Sequence, residues 1–150
     1  MAARPIELGP TGQVVATNVA RFRGQHGLRL AGLSERMAKV GRPMSVVTLS
    51  AIENGDRRVD VDDLVAVASA LDVSPAALLM PPVDDPLDAA GATVSPLGAP
   101  EAGPLWDWLT AKAPLNVSLL VEQTDHFANE MWRRMQVPRW AYRAGAPDPD

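Results

Sequence analysis

Between Arg21 and Arg58 the chain carries eight basic residues, Arg21, Arg23, Arg29, Arg36, Lys39, Arg42, Arg57 and Arg58. Against them stand three acids, Glu35, Glu53 and Asp56, for a local net charge of +5. From Val59 to Pro104 there are eight acids and no lysine or arginine, a net −8. The overall formal charge of −4 hides this gradient. A polyanion would meet the basic segment, because clustered positive potential attracts phosphate whatever the total charge. The densest stretch is "SVVTLSAIENGDRRVDVDDL", Ser45 to Leu64. It places a hydroxyl before an apolar stripe, then Glu53, a glycine turn, two arginines and a run of aspartates.

Other chemistries find little support. There is no cysteine, so no disulfide framework and no thiolate metal site. No glycine-rich phosphate loop or nucleophile elbow occurs, so no catalytic residue, cofactor or enzymatic activity is expected. Glu122, His126 and Glu130 fall at i, i+4 and i+8, a spacing that would set two carboxylates and an imidazole on one helix face. His26 is the only other histidine. The trio reads as the polar side of an amphipathic helix, and no metal is expected. No apolar run approaches the roughly 18 residues that span a bilayer. "MAARPIELGP" lacks a signal-peptide hydrophobic region. A soluble cytoplasmic, nucleoid-associated protein without membrane contact is the expectation.

The elements that must position the basic residues are short helices. Thr11 is a plausible N-cap for a first helix with Val14, Val15, Val19 and Phe22 at helical spacing, ending near Gly24 or Gly27. A second begins near Leu30, with Leu33, Met37 and Val40 as its buried stripe, and Gly41-Arg42-Pro43 stops it. Ser45 caps a third, with Val46 or Val47, Leu49 and Ile52 inward, closed by Gly55. Asp60 or Asp62 caps a fourth with Leu64, Val65, Val67, Ala68 and Leu71 apolar. Ser74-Pro75, a cap followed by proline at the first helical position, opens a fifth from Ala76 to Met80.

Pro81 to Pro104 holds six prolines and three glycines among small and acidic residues and reads as a linker. After it, "LWDWLTAKA" forms two helical turns. Asn116 caps a longer helix, Val117 to Gln136, with Val117, Leu120, Val121, Thr124, Ala128, Met131 and Met135 on one face. "WDW" and "MWRRMQVPRWAYR" mix aromatics with arginines. Helical packing and self-association account for them best, ahead of a protein or small-ligand site and of direct nucleic-acid contact. Three of the four tryptophans should be largely buried.

The second and third helices, joined by a glycine-containing turn, have the order of a helix-turn-helix. With "RFRGQHGL", "LAGLSERMAKVG", "SVVTLSAIENG" and "RRVDVDDLVAVASALDVSPAALL", the segment from about 12 to 80 resembles the lambda-repressor/Cro-like (XRE-type) family of DNA-binding domains. The resemblance implies that Ser45 begins a recognition helix whose N-terminal part enters the major groove. Val46, Val47, Thr48, Ser50 and Ala51 would be its exposed residues. It implies a near-buried ion pair between Arg23 and Glu53, and a turn at Asn54 and Gly55 lying against the DNA backbone. Compact members have fewer residues between the second-helix leucine and this glutamate, so the turn around Gly41-Arg42-Pro43 is extended here. Arg57 and Arg58 taken alone would be a solvated pair or partners of Asp60, Asp62 or Asp63. Within the family frame, at least one should meet phosphate, as should one or two of Arg36, Lys39 and Arg42.

The reading is an all-α protein with a five-helix DNA-binding domain at 11–82, a flexible linker at 83–104 and a C-terminal helical segment at 105–143. Its expected function is sequence-specific binding of double-stranded operator DNA in transcriptional regulation, as a repressor. The expected state is a homodimer on an inverted repeat. The expected DNA-binding residues are Arg36, Lys39, Arg42, Ser45, Val46, Val47, Thr48, Ser50, Asn54, Arg57 and Arg58. Val46 and Val47 can touch thymine methyls, but base edges are read mostly by Arg, Lys, Asn or Gln. That apolar face keeps alive a protein-interaction module that no longer reads DNA, with the C-terminal aromatics recruiting a partner. An antitoxin or phage-type repressor of the same fold is the other alternative.

Overall fold

The computed structural model describes residues 7–88, 100–115 and 126–142. Those residues form seven helices and no strand: α1 (Pro10–Gln25), α2 (Leu30–Lys39), α3 (Val46–Glu53), α4 (Val61–Leu71), α5 (Pro75–Leu79), α6 (Ala102–Leu109) and α7 (His126–Gln136).

The helix starts follow from local chemistry. Ser45 Oγ accepts the Thr48 amide at 3.1 Å, Asp60 Oδ1 the Asp63 amide at 2.7 Å, and Ser74 Oγ the Ala77 amide at 3.1 Å. Each cap occupies a donor that the first helical turn leaves unpaired. α1 starts earlier than expected. Gly9 is its N-cap and Pro10 its first residue, so Thr11 lies inside the helix. Proline there supplies a preset φ and lacks an amide that would go unpaired anyway.

One core joins α1 to α5. Val15, Val19, Leu33, Met37, Leu49, Ile52, Val67, Leu71 and Leu78 are its buried members, with Phe22 and Leu64 packed at its margin. Val40 was expected in this core and is exposed instead. It is the C-cap of α2, where the chain leaves the helix before the next inward position, and Met44 from the following turn is buried in the same cluster. Val65 is exposed as well, on the outer side of α4, and both Val46 and Val47 turn outward while Leu49 and Ile52 go in.

Two buried polar groups hold the ends of this bundle together. The Asn18 amide reaches the carbonyls of Ala77, Leu78 and Met80, at 3.3, 3.0 and 2.6 Å, so the last turn of α5 is capped from α1. Asp63, at the start of α4, is buried and binds two arginines from other parts of the chain.

α6 begins at Ala102, inside the segment expected as linker, and packs on the bundle. Ala102 and Leu105 are buried in a second, small cluster with Met80, Val83, Trp108 and Leu109. Residues 117–125 of the expected long helix lie outside the described residues; its C-terminal part is α7. Trp106, Trp108 and Trp132 are half-buried and Trp140 is exposed, so no tryptophan is as deep as the sequence reading supposed.

Candidate nucleic-acid interface

The turn between α2 and α3 decides how the third helix is presented. It runs from Val40 to Ser45 and is fixed at several points. Gly41 adopts φ +81°, a left-handed conformation that favours glycine, and the Arg42 amide returns to the Met37 carbonyl at 3.0 Å. Ser34 Oγ donates to the Met44 carbonyl at 2.6 Å. The extra length is therefore tied to α2, and α3 leaves it capped.

The far end of α3 is anchored as firmly. Arg23 Nε lies 2.6 Å and Nη2 2.9 Å from the two oxygens of Glu53, a bidentate pair. Arg23 Nη1 also donates to the Leu28 carbonyl at 2.7 Å. The hydrogen bond to Glu53 raises the Arg23 pKa against the lowering effect of burial, so the guanidinium stays charged throughout the accessible range. Gly55 follows at φ +77°, and a Cβ there would stand 3.3 Å from the Gln13 side chain. The left-handed conformation is what favours glycine at this turn; the Gln13 side-chain end could shift to admit a Cβ.

Between these anchors α3 shows one open face. Val46 is 42% and Val47 78% exposed, with Thr48, Ser50 and Ala51 half-exposed. Leu30, Val46, Val47, Ser50, Ala51, Asn54 and Asp56 line a shallow groove of about 410 Å³. The start of α2 therefore lies beside the outer face of α3, as docking of the pair on a duplex requires. Asn54 Nδ2 donates to Ser50 Oγ at 3.4 Å, and Ser45 Oγ to Thr48 Oγ1 at 3.0 Å.

Arg36, Arg42, Arg57 and Arg58 each have a partner within the protein. Arg42 Nε and Nη2 both lie 2.9 Å from Asp63 Oδ1, and Nη2 is 3.3 Å from Asp60. Arg57 Nη2 donates to Asp63 Oδ2 at 3.2 Å. The Asp63 hydrogen bond raises the Arg42 pKa, with the Asp60 and Asp62 charges adding to it. One buried carboxylate thus ties the α2–α3 turn and the loop after α3 to the start of α4. Arg36 Nη1 caps the Ala70 carbonyl of α4 at 3.2 Å. Arg58 donates to the backbone carbonyl of Glu7, which lays the segment before α1 against the loop after α3. Lys39 is exposed and has no partner among the described residues.

Arg29, which is not among the expected contacts, is exposed as the N-cap of α2, next to Leu30 of the groove. Its place in the basic segment was the only available signal. Asp63 was missed as a buried node because its neighbours Asp60 and Asp62 look identical in sequence and are exposed.

A capped helix standing clear of a tight bundle, preceded across a fixed turn by a helix that braces it, has the geometry of a helix-turn-helix. Residues 19–78 match the family model described as helix-turn-helix, and the all-helical arrangement of this segment matches a lambda-repressor-like fold. The family is one of DNA-binding regulators and not of enzymes. Searches of curated proteins and of solved structures found no match. No described helix is long and apolar enough to cross a membrane. Among the described residues no group of three acidic or histidine side chains is placed to hold a metal ion; Glu122 lies outside them.

Proposed function

We propose that the protein is a sequence-specific transcriptional repressor that binds operator DNA as a homodimer on an inverted repeat. α3 enters the major groove, and the open face from Val46 to Asn54 between two anchored ends is the observation that carries this reading. A reading helix must be rigid and uncovered at once. Ser45, the Arg23–Glu53 pair and the Asp63 node supply the rigidity. Val46 and Val47 meet thymine methyls, while Thr48, Ser50 and Asn54 supply hydrogen bonds to base edges or phosphate. Lys39 and Arg29 are the cations free to meet the backbone, and Arg58 joins them if the segment at Glu7 moves aside. Arg36, Arg42 and Arg57 act by holding the helices in place.

Self-association is supported by α7. Phe127, Met131 and Met135, four residues apart, are 71%, 43% and 81% exposed. Such a stripe on one side of an amphipathic helix is commonly covered by a partner. The apolar outer face of α3, with most nearby arginines already paired, favours one rival: a protein-interaction module in which that groove takes an apolar peptide.

Fluorescence anisotropy with the DNA upstream of the protein's own gene, titrated with salt, separates the two. Operator binding shows saturation at low salt and a linear fall of log K with log salt concentration. Absence of any binding at low salt refutes the repressor reading.

A further inference from the structure

A cleft of about 480 Å³ lies outside the α3 face, where the last turn of α1, the segment after α5 and α6 converge. Phe22 and Trp106 contribute aromatic walls, and Met80 adds a polarizable one. Arg21, Gln25 and Asp84 contribute the polar groups. The cleft is open, and its volume falls in the range that holds a small organic molecule.

The charges in this cleft are arranged in a particular way. The Arg21 guanidinium is stacked 4.1 Å from the Phe22 ring centroid, and its Nε donates to Asn18 Oδ1 at 3.0 Å. Asn18 is itself locked by its bonds to the Leu78 and Met80 carbonyls. The guanidinium is thus held in one orientation with its two outer nitrogens unpaired among the described residues. Asp84 is exposed on the same cleft, and no described cation lies within ion-pair distance of it. A cation and an anion share one aromatic-lined cleft without neutralising each other.

We propose that this cleft is an effector site for a small zwitterion with an aromatic body, of the kind of an aromatic α-amino acid. The ligand's carboxylate takes the fork of Arg21, a planar donor pair that suits a carboxylate. Its ammonium takes Asp84, and its ring lies against Trp106 and Met80. The bound molecule bridges α1 to α6. α1 also carries Arg23, which holds Glu53 at the end of α3. Occupancy therefore stiffens or shifts the helix that positions the reading face. That consequence for DNA rests on the repressor reading; the site itself does not.

The test uses the full chain with L-phenylalanine as probe and 3-phenylpropionate, which lacks the ammonium, as comparison. Nitrogen–proton spectra follow the Trp106 indole and the Gln25 side chain, and calorimetry gives the affinity. The expected result is saturable shifts at both groups with L-phenylalanine. Wild type binds 3-phenylpropionate about tenfold more weakly, and the exposed substitution Asp84→Asn weakens L-phenylalanine binding by about the same factor. Asp84→Asn leaves 3-phenylpropionate binding unchanged. Absence of saturable shifts up to the solubility limit of the amino acid overturns the proposal. So does equal affinity for the two probes, or an Asp84→Asn variant that still prefers the amino acid. No DNA is present, so failure here leaves the repressor reading standing, and failure of operator binding leaves this site standing.

Discussion

Asp63 makes an unequal bargain with its two arginines, and the inequality is measurable. Its side chain is 2% exposed, whereas those of Arg42 and Arg57 are 40% and 43% exposed. Substituting one arginine leaves the carboxylate one charged donor, and the lost contact is screened by water, so little stability is lost. Substituting both strands a buried carboxylate, which costs about 3–5 kcal/mol. Substituting Asp63 itself by alanine removes the buried charge and frees two guanidiniums that water can solvate, so it costs less than the double arginine variant. In urea unfolding, with a slope of about 1.5 kcal/mol per molar for so small a bundle, the Arg42→Ala, Arg57→Ala variant should lose about 2–3 M of midpoint. Each single variant should lose well under half of that, and Asp63→Ala should fall between. The cycle should therefore be strongly non-additive. If the double variant is no less stable than Asp63→Ala, or if the two single effects simply add, Asp63 is not the node described and the arginines are free for another role.

Other perturbations discriminate between roles. Glu53→Ala breaks the bidentate pair with Arg23, whose side chains are 23% and 10% exposed, and should cost about 2–4 kcal/mol; an unchanged urea midpoint would refute the anchoring role. Lys39→Ala and Arg29→Ala should each lower the salt slope of operator binding by about one unit, while folded Arg57→Ala keeps it; the reverse pattern would put Arg57 on phosphate and not on Asp63. Asp56 lines the groove beside α3, so Asp56→Asn should tighten DNA binding several-fold at low salt, and a loss of affinity would place DNA elsewhere. Met131→Glu with Met135→Glu should convert a dimer to a monomer in sedimentation equilibrium; an unchanged mass would remove α7 from the contact.

The arginine assignments mark where sequence reasoning stopped. Arg36, Lys39, Arg42, Arg57 and Arg58 were grouped because they share a charge and a segment. The structure separates them by what each guanidinium can reach: Ala70 of α4 for Arg36, Asp63 for Arg42 and Arg57, Glu7 for Arg58. Lys39 alone of these has no partner among the described residues. A long flexible side chain reaches several ångströms, so its partner is set by how helices distant in sequence are juxtaposed. Nothing in a local window encodes that.

The sequence by itself determined the first five helices and their order. Serine and aspartate caps, proline at first helical positions, glycine at turns and apolar residues at 3–4 spacing are local signals, and local hydrogen bonding answers them. It also determined α3, because Ser45, Leu49, Ile52 and Gly55 fit one register of a short helix with one face left outward. Only the tertiary structure decided which of three neighbouring aspartates is buried and which arginines it holds. Only the tertiary structure set α6 against the end of α5, leaving Arg21 and Asp84 on one cleft. The physical reason is that burial and ion pairing depend on packing across the bundle, whereas capping and helical periodicity depend on a few consecutive residues.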